Sequence, residues 1–155
     1  MISPELLRRY PFFGPLNENQ RKAIAMIADE LQVKDGQVLF EECQPADALY
    51  LLIEGNIDLT YKSEEEFHPK KTQVFSVGEV NPQEVFAISA LIEPYEYNAT
   101  ASATQDSRVI KIDAKALRAL IDQDVQLGYI LIHQIAKTAM ERLAYTRVQL
   151  AAAWA

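Results

Sequence analysis

The stretch Glu84-Val-Phe-Ala-Ile-Ser-Ala-Leu-Ile-Glu-Pro-Tyr-Glu-Tyr-Asn-Ala-Thr-Ala-Ser-Ala103 holds the residues of this chain best suited to chemistry. It reads as one short helical turn over Val85–Ile92, a break at Pro94, and a strand of small residues alternating from Asn98. Backbone amides at the start of the turn and small side chains on the strand leave a hollow, the kind of place that takes a compact anion. Its candidate lining is Ala87, Ile88, Ser89, Tyr97, Asn98, Ala99, Thr100 and Ser102. The alternative is that Val85–Ile92 is core packing alone.

The other reactive side chains do not assemble. His68 and His133 are the only histidines, one on an expected loop tip and one on a helix, and neither has a second ligand at metal-binding spacing. No metal site is expected. Glu64-Glu65-Glu66 lacks the Asp/Asn/Gly alternation of a calcium loop and reads as a solvated turn. Cys43 has no histidine near it in sequence, so a structural or idle thiol is expected rather than a nucleophile. No catalytic residues are assigned, and an enzyme is not expected.

The elements that must position the hollow follow in chain order. Residues 3–10 predict a short helix stopped by Pro11, and Phe12 to Leu16 an apolar connector. Asn17 and Gln20 form a capping-box pattern, with Ile24, Ile27, Ala28 and Leu31 at helical spacing behind it, so a helix to about Leu31 is predicted. Leu49–Ile53 and Ile57–Tyr61 read as two strands around the tight-turn signal Glu54-Gly55-Asn56. Lys62–Lys71 predicts the solvated tip of a long hairpin, from which Gln73–Val77 returns as a strand that Gly78 ends. Arg108–Ile112 predicts another strand, Asp113 the cap of a helix over Ala114–Ile121, and Asp122 the cap of a last helix of roughly 30 residues, about 45 Å long. The expected fold is mainly β with flanking helices, an antiparallel β-roll or jelly-roll barrel with N-terminal helices and a long C-terminal helix. The roll takes residues 1–121 and the last helix 122–155.

That last helix carries a seam. Ile132, Ala136, Ala139, Leu143, Thr146, Leu150 and Ala153 follow a 4,3,4,3,4,3 spacing, a heptad pattern with small residues that permit close approach. A homodimer through the seam is predicted in preference to a helix folded back on its own barrel. Arg142 and Arg147, flanking the seam with like charge, weigh against a tight parallel pair.

Bulk properties narrow the partners. The 155 residues suffice for one sizeable core, and 49% hydrophobic with 24% charged residues is ordinary for a globular chain. A net charge of −7, with no run of more than two basic residues, argues against nucleic acid or a membrane surface as partner. One cysteine excludes an intrachain disulfide, and the charged start does not resemble a signal peptide, so a cytoplasmic protein is expected.

The order of elements resembles a family. Leu7 to Leu31 is similar to the opening segment of cyclic nucleotide-binding domains of the catabolite-activator type. Gly36–Phe40 and Ala48–Gly55 resemble that family's early strands and tight turn. Glu84–Ala103 takes the place of its phosphate-binding cassette, and Ala114–Ala153 that of its hinge and dimerisation helices. The resemblance implies signal transduction by a regulatory module. In the family the cassette reads roughly Phe-Gly-Glu-x-Ala-Leu, a short gap, then Arg-x-Ala-Thr-Val-x-Ala, with the arginine on the cyclic phosphate and the glutamate on the ribose hydroxyl. Counting back from Ala90-Leu91 puts Ala87 at the glycine and Ile88 at the glutamate; counting back from Ala99-Thr100 puts Tyr97 at the arginine. Losing both polar partners would weaken binding by roughly two to four powers of ten. A one-residue shift of register would not help, because no arginine or lysine lies between Val74 and Ser107.

The resemblance therefore implies a stand-alone sensor or regulatory module with a degenerate cassette, unable to bind cyclic AMP or GMP in the usual way and without a cofactor. The alternatives are a structural module recruiting a protein partner through its C-terminal helix, and a weak or non-standard cyclic nucleotide binder. Family regulators carry a helix-turn-helix after the dimer helix; this sequence stops at Ala155, so DNA binding through it is not expected.

Overall fold

A computed structural model describes residues 1–65 and 68–155, and of 63–65 and 68–73 the backbone only. Helix α1 (Pro4–Arg8) is capped by the Ser3 hydroxyl and leads into a 3-10 turn, Pro11–Phe13. Helix α2 (Glu18–Met26) begins with the predicted box: Asn17 Oδ1 accepts from the Gln20 amide at 2.8 Å, and Gln20 Oε1 accepts from the Asn17 amide at 2.9 Å.

The helix stops five residues before the predicted end. Ala28–Val33 is strand β1, paired antiparallel with β8 (Ser107–Asp113) in a register from Ala28 opposite Ile112 to Val33 opposite Ser107. Only Ala28 and Val33 of β1 are buried, so the strand carries no alternating signal, whereas Ile24, Ile27, Ala28 and Leu31 fit helical spacing by coincidence. Pairing with an available strand edge outweighs that weak local preference.

Eight strands form two four-stranded antiparallel sheets, ordered β1-β8-β3-β6 and β2-β7-β4-β5. The remaining strands are β2 (Val38–Phe40), β3 (Ala48–Glu54), β4 (Ile57–Glu65), β5 (His68–Val80), β6 (Val85–Phe86) and β7 (Thr100–Ala103). The predicted turn at Gly55 exists, but it does not join paired strands: β3 and β4 belong to different sheets. Gly55 takes φ +107°, and a Cβ there would lie 2.1 Å from the Ser107 hydroxyl, so the crossing between sheets requires glycine. β4 and β5 form the long hairpin. Its strand runs on through Gly78 to Val80, past a bulge between Ser76 and Gly78 opposite Thr60 and Leu59. The side chains of the Glu64–Glu66 run and of His68 lie outside the described residues.

One apolar core fills the roll, built from Leu49, Leu51, Leu52, Ile57, Phe86, Val109, Ile110 and Ile112 and closed at one end by Leu7, Phe13 and Ile24. Asp113 caps α3 (Ala114–Gln123) as predicted, accepting from the Ala116 amide at 2.8 Å. Asp124, not Asp122, caps α4 (Val125–Ala153), accepting from the Leu127 amide at 3.1 Å. Gln20 also donates to Asp124, and this bond first, with the Leu127 amide second, holds its carboxyl below the usual carboxylate range. The first half of α4 is anchored by buried Leu127, Leu131 and Ile135, and by Gln134, which donates to the Pro11 and Phe12 carbonyls. Among the described residues, no helix is long and apolar enough to cross a membrane.

Candidate functional site

The cassette departs from a continuous helical turn. Val85–Phe86 is strand β6, paired with Tyr50 and Leu51 of β3, and the helical turn itself is a 3-10 segment, Ile88–Leu91. Between them Ala87 takes φ +64°, ψ +39°, a left-handed conformation that glycine enters freely and alanine only at a cost of roughly 1 kcal/mol. The backbone at Ala87 thus has a shape that glycine takes freely. Arg118 of α3 holds the segment from outside, donating to the Ala90 carbonyl at 2.7 Å and lying 4.3 Å above the Tyr95 ring.

Beside this segment is a cavity of about 380 Å³. Its walls are Phe40, Leu59, Tyr61, Val77, Phe86, Ala87, Ile88, Ala99, Ala139 and Leu143, with Asn98, Arg142 and Thr146 as its polar members. The space beside Ile88 is therefore open. Of the candidate residues, Ala87, Ile88, Asn98 and Ala99 line it.

Tyr97 does not. Its ring is buried and stacked on Phe40, centroids 4.0 Å apart, and its hydroxyl faces away from the cavity. That hydroxyl donates to Asp47 Oδ1 at 2.6 Å and accepts from the amides of Asp47 and Ala48 at 3.2 and 3.1 Å. Burial first, and the bond to Asp47 second, raise its pKa above the ordinary tyrosine value. Thr100 and Ser102 are also turned away, since Ala101 and Ala103 take the inward positions of β7. Thr100 accepts from the Glu42 amide at 3.0 Å. Ser89 lies on the 3-10 segment outside the cavity lining, its hydroxyl oxygen enclosed and without a hydrogen-bond partner among the described residues.

A cation does reach the cavity, from a residue read from the sequence only as a flank of the helix seam. Arg142 of α4 folds inward, donating from Nη2 to the Val85 carbonyl at 3.2 Å and from Nη1 to the Glu79 carbonyl at 3.3 Å. It is therefore engaged with carbonyls of its own chain. Burial pulls its pKa below the ordinary arginine value, opposed by the negative charges of Glu84 and Glu141. Nothing in the sequence near the cassette signals this, because 57 positions separate the bonded pair.

The seam on α4 has two aspects. Ala139, Leu143 and Thr146 form part of the cavity wall, so the helix does lie over its own barrel. Yet Ile132 is 39%, Leu143 54% and Leu150 59% exposed, leaving an uncovered apolar stripe. His133 sits beside it, stacked on Tyr129.

A profile of the cyclic nucleotide-binding domain matches residues 30–124. The crystal structure of a protein described as cyclic nucleotide-binding, from Geobacter metallireducens, is 38% identical, superposes with a TM-score of 0.81, and matches 92% of this chain and 99% of that one. A CRP-like cAMP-activated global transcriptional regulator of Mycobacterium tuberculosis is 24% identical over 136 residues, 86% of this chain and 57% of the regulator. A protein of Rhodopseudomonas palustris named as a potassium channel is 25% identical over 128 residues, 83% of this chain and 29% of that protein. The chain thus spans little more than half, or less, of the curated relatives it matches.

Proposed function

This chain belongs to the cyclic nucleotide-binding domain family, and from that premise we propose that it is a regulatory module whose cavity has lost the usual recognition of cyclic AMP and cyclic GMP. One observation carries the reading. The two positions that matter for a cyclic phosphate and its sugar hold Ile88, an apolar wall, and Tyr97, whose hydroxyl is fully engaged with Asp47 and Ala48 on the far side of its ring. Asn98, the neighbouring residue that does face the cavity, is neutral. Arg142 does bring charge to the cavity, but from α4 and not from either of those two cassette positions. A ribose hydroxyl set against Ile88 would lose its hydrogen bond to water with nothing in return, a cost of about 1–3 kcal/mol. Calorimetric titration with cyclic AMP and cyclic GMP tests the proposal: no saturable heat is expected, and micromolar binding would refute it.

Output through α4 is the second half of the reading. Val125, Tyr129, Ile132, Met140, Leu143 and Leu150 leave an exposed apolar stripe on a helix that also walls the cavity. Such a stripe is best buried by a second copy of the same helix, which would couple the cavity to the assembly. Sedimentation is expected to give a dimer, and a monomer at micromolar concentration would remove this part. A recruited protein partner is the alternative occupant, favoured if the monomer co-purifies with one.

A further inference from the structure

We propose that the cavity beneath α4 takes a compact monocarboxylate with an apolar body, aryl or branched alkyl, anchored by the guanidinium of Arg142. The inference rests on the reading above, that cyclic nucleotides are no longer its ligand, and adds what replaces them.

Three observations carry it. The first is the cavity's composition: Phe40, Leu59, Val77, Phe86, Ile88 and Leu143 offer apolar surface on several sides, which suits an apolar body better than a hydroxyl-bearing sugar. The second is the state of Arg142. A guanidinium has five N–H donors; one goes to the Val85 carbonyl and one to the Glu79 carbonyl, and the rest have no partner among the described residues. No carboxylate among the described residues forms an ion pair with it, Glu84 and Glu141 acting only from a distance. A partly buried cation bonded only to neutral carbonyls is an unmet charge, and a planar carboxylate matches its fork. The third is the charge balance. One cation, with Glu84 and Glu141 near it, suits a single negative charge; a carboxylate and a cyclic phosphodiester both carry one, and the apolar lining favours the carboxylate. Asn98, also on the cavity wall, supplies a neutral polar group for a ligand hydroxyl or carbonyl.

The test is titration calorimetry of the full chain with phenylacetate and with 4-methylpentanoate, beside neutral phenylacetamide and cyclic AMP. At least one carboxylate is expected to bind with Kd of about 1 mM or tighter. Phenylacetamide and the Arg142→Gln variant are each expected to bind about tenfold more weakly. Because Arg142→Gln also loosens α4, a second variant guards the test: Ala139→Phe, at an exposed helix position lining the cavity, fills it and is expected to abolish binding while keeping the wild type's far-UV circular dichroism. The proposal is overturned if neither carboxylate binds up to about 10 mM, if the amide binds as tightly as the acid, or if Ala139→Phe leaves affinity unchanged. Micromolar cyclic AMP binding would instead overturn the loss of nucleotide recognition. Silence from every ligand would sink the carboxylate and leave that loss standing.

Discussion

The Tyr97 hydroxyl donates to the Asp47 carboxylate at 2.6 Å, across the base of the roll and away from the cavity that its neighbour Asn98 lines. That hydroxyl ties the segment before β7 to the start of β3, which makes Tyr97 part of the scaffold. Removing its oxygen in Tyr97→Phe leaves the Ala48 amide buried and without this acceptor. Urea unfolding is expected to show a loss of about 1–3 kcal/mol, with no change in the response to cyclic nucleotides.

Alkaline pH should unfold the protein through the same cluster. Tyr50 is pushed up to about 12 by burial first and by the charge of Asp47 second, and Tyr97 is raised for similar reasons. Both pKa values are higher folded than unfolded, so their contribution is fully present below about pH 10 and is lost as pH rises through the folded values. Between about pH 10 and 12 stability should fall by about 1.4 kcal/mol per pH unit for each tyrosine, and Tyr97→Phe should make that slope shallower. Equal slopes in the two proteins would show that Tyr97 does not titrate this way.

Ala87 offers a test of the cassette's backbone. At φ +64° its methyl group is strained where glycine would not be. Ala87→Gly is expected to raise stability by up to about 1 kcal/mol, the relief of the left-handed strain outweighing the added flexibility of the unfolded chain. Ala87→Val is expected to lower it by more than that, since a β-branched residue tolerates the conformation worst. Thermal melts of the three proteins check the order.

Arg142 fastens the distal half of α4 to the cassette through the Val85 and Glu79 carbonyls. In Arg142→Ala, amide hydrogen exchange over residues 136–153 should quicken several-fold, while residues 127–135, held by Leu127, Leu131 and Ile135, keep their protection. Uniform protection along the whole helix would show that the arginine does not fasten it.

Much of this architecture was legible in the sequence because it rests on local signals. The Asn17/Gln20 box, the Asp113 cap and the long last helix are short-range patterns, and the structure has each of them. The failures lie where a long-range partner decides. Leu31 looks helical until β8 is present to pair with β1, and Gly55 looks like a hairpin turn until the sheets separate. Of the residues that the sequence offers for the site, Ala87, Ile88, Asn98 and Ala99 line the cavity, whereas Ser89, Tyr97, Thr100 and Ser102 do not. A one-residue change of facing separates Tyr97 from Asn98, and composition carries no sign of it. Arg142 was visible only as a helix charge, because the fold alone brings it to the cassette.

The central claim is that the residues facing the cavity, and not the fold, removed cyclic nucleotide recognition. It is tested most directly by titrating cyclic AMP into the wild type and into an Ile88→Glu/Asn98→Arg double variant, which sets a carboxylate and a guanidinium at two positions that line the cavity. The wild type is expected to show no saturable binding, the double variant binding tighter by roughly two to four powers of ten. Micromolar binding to the wild type would contradict the account.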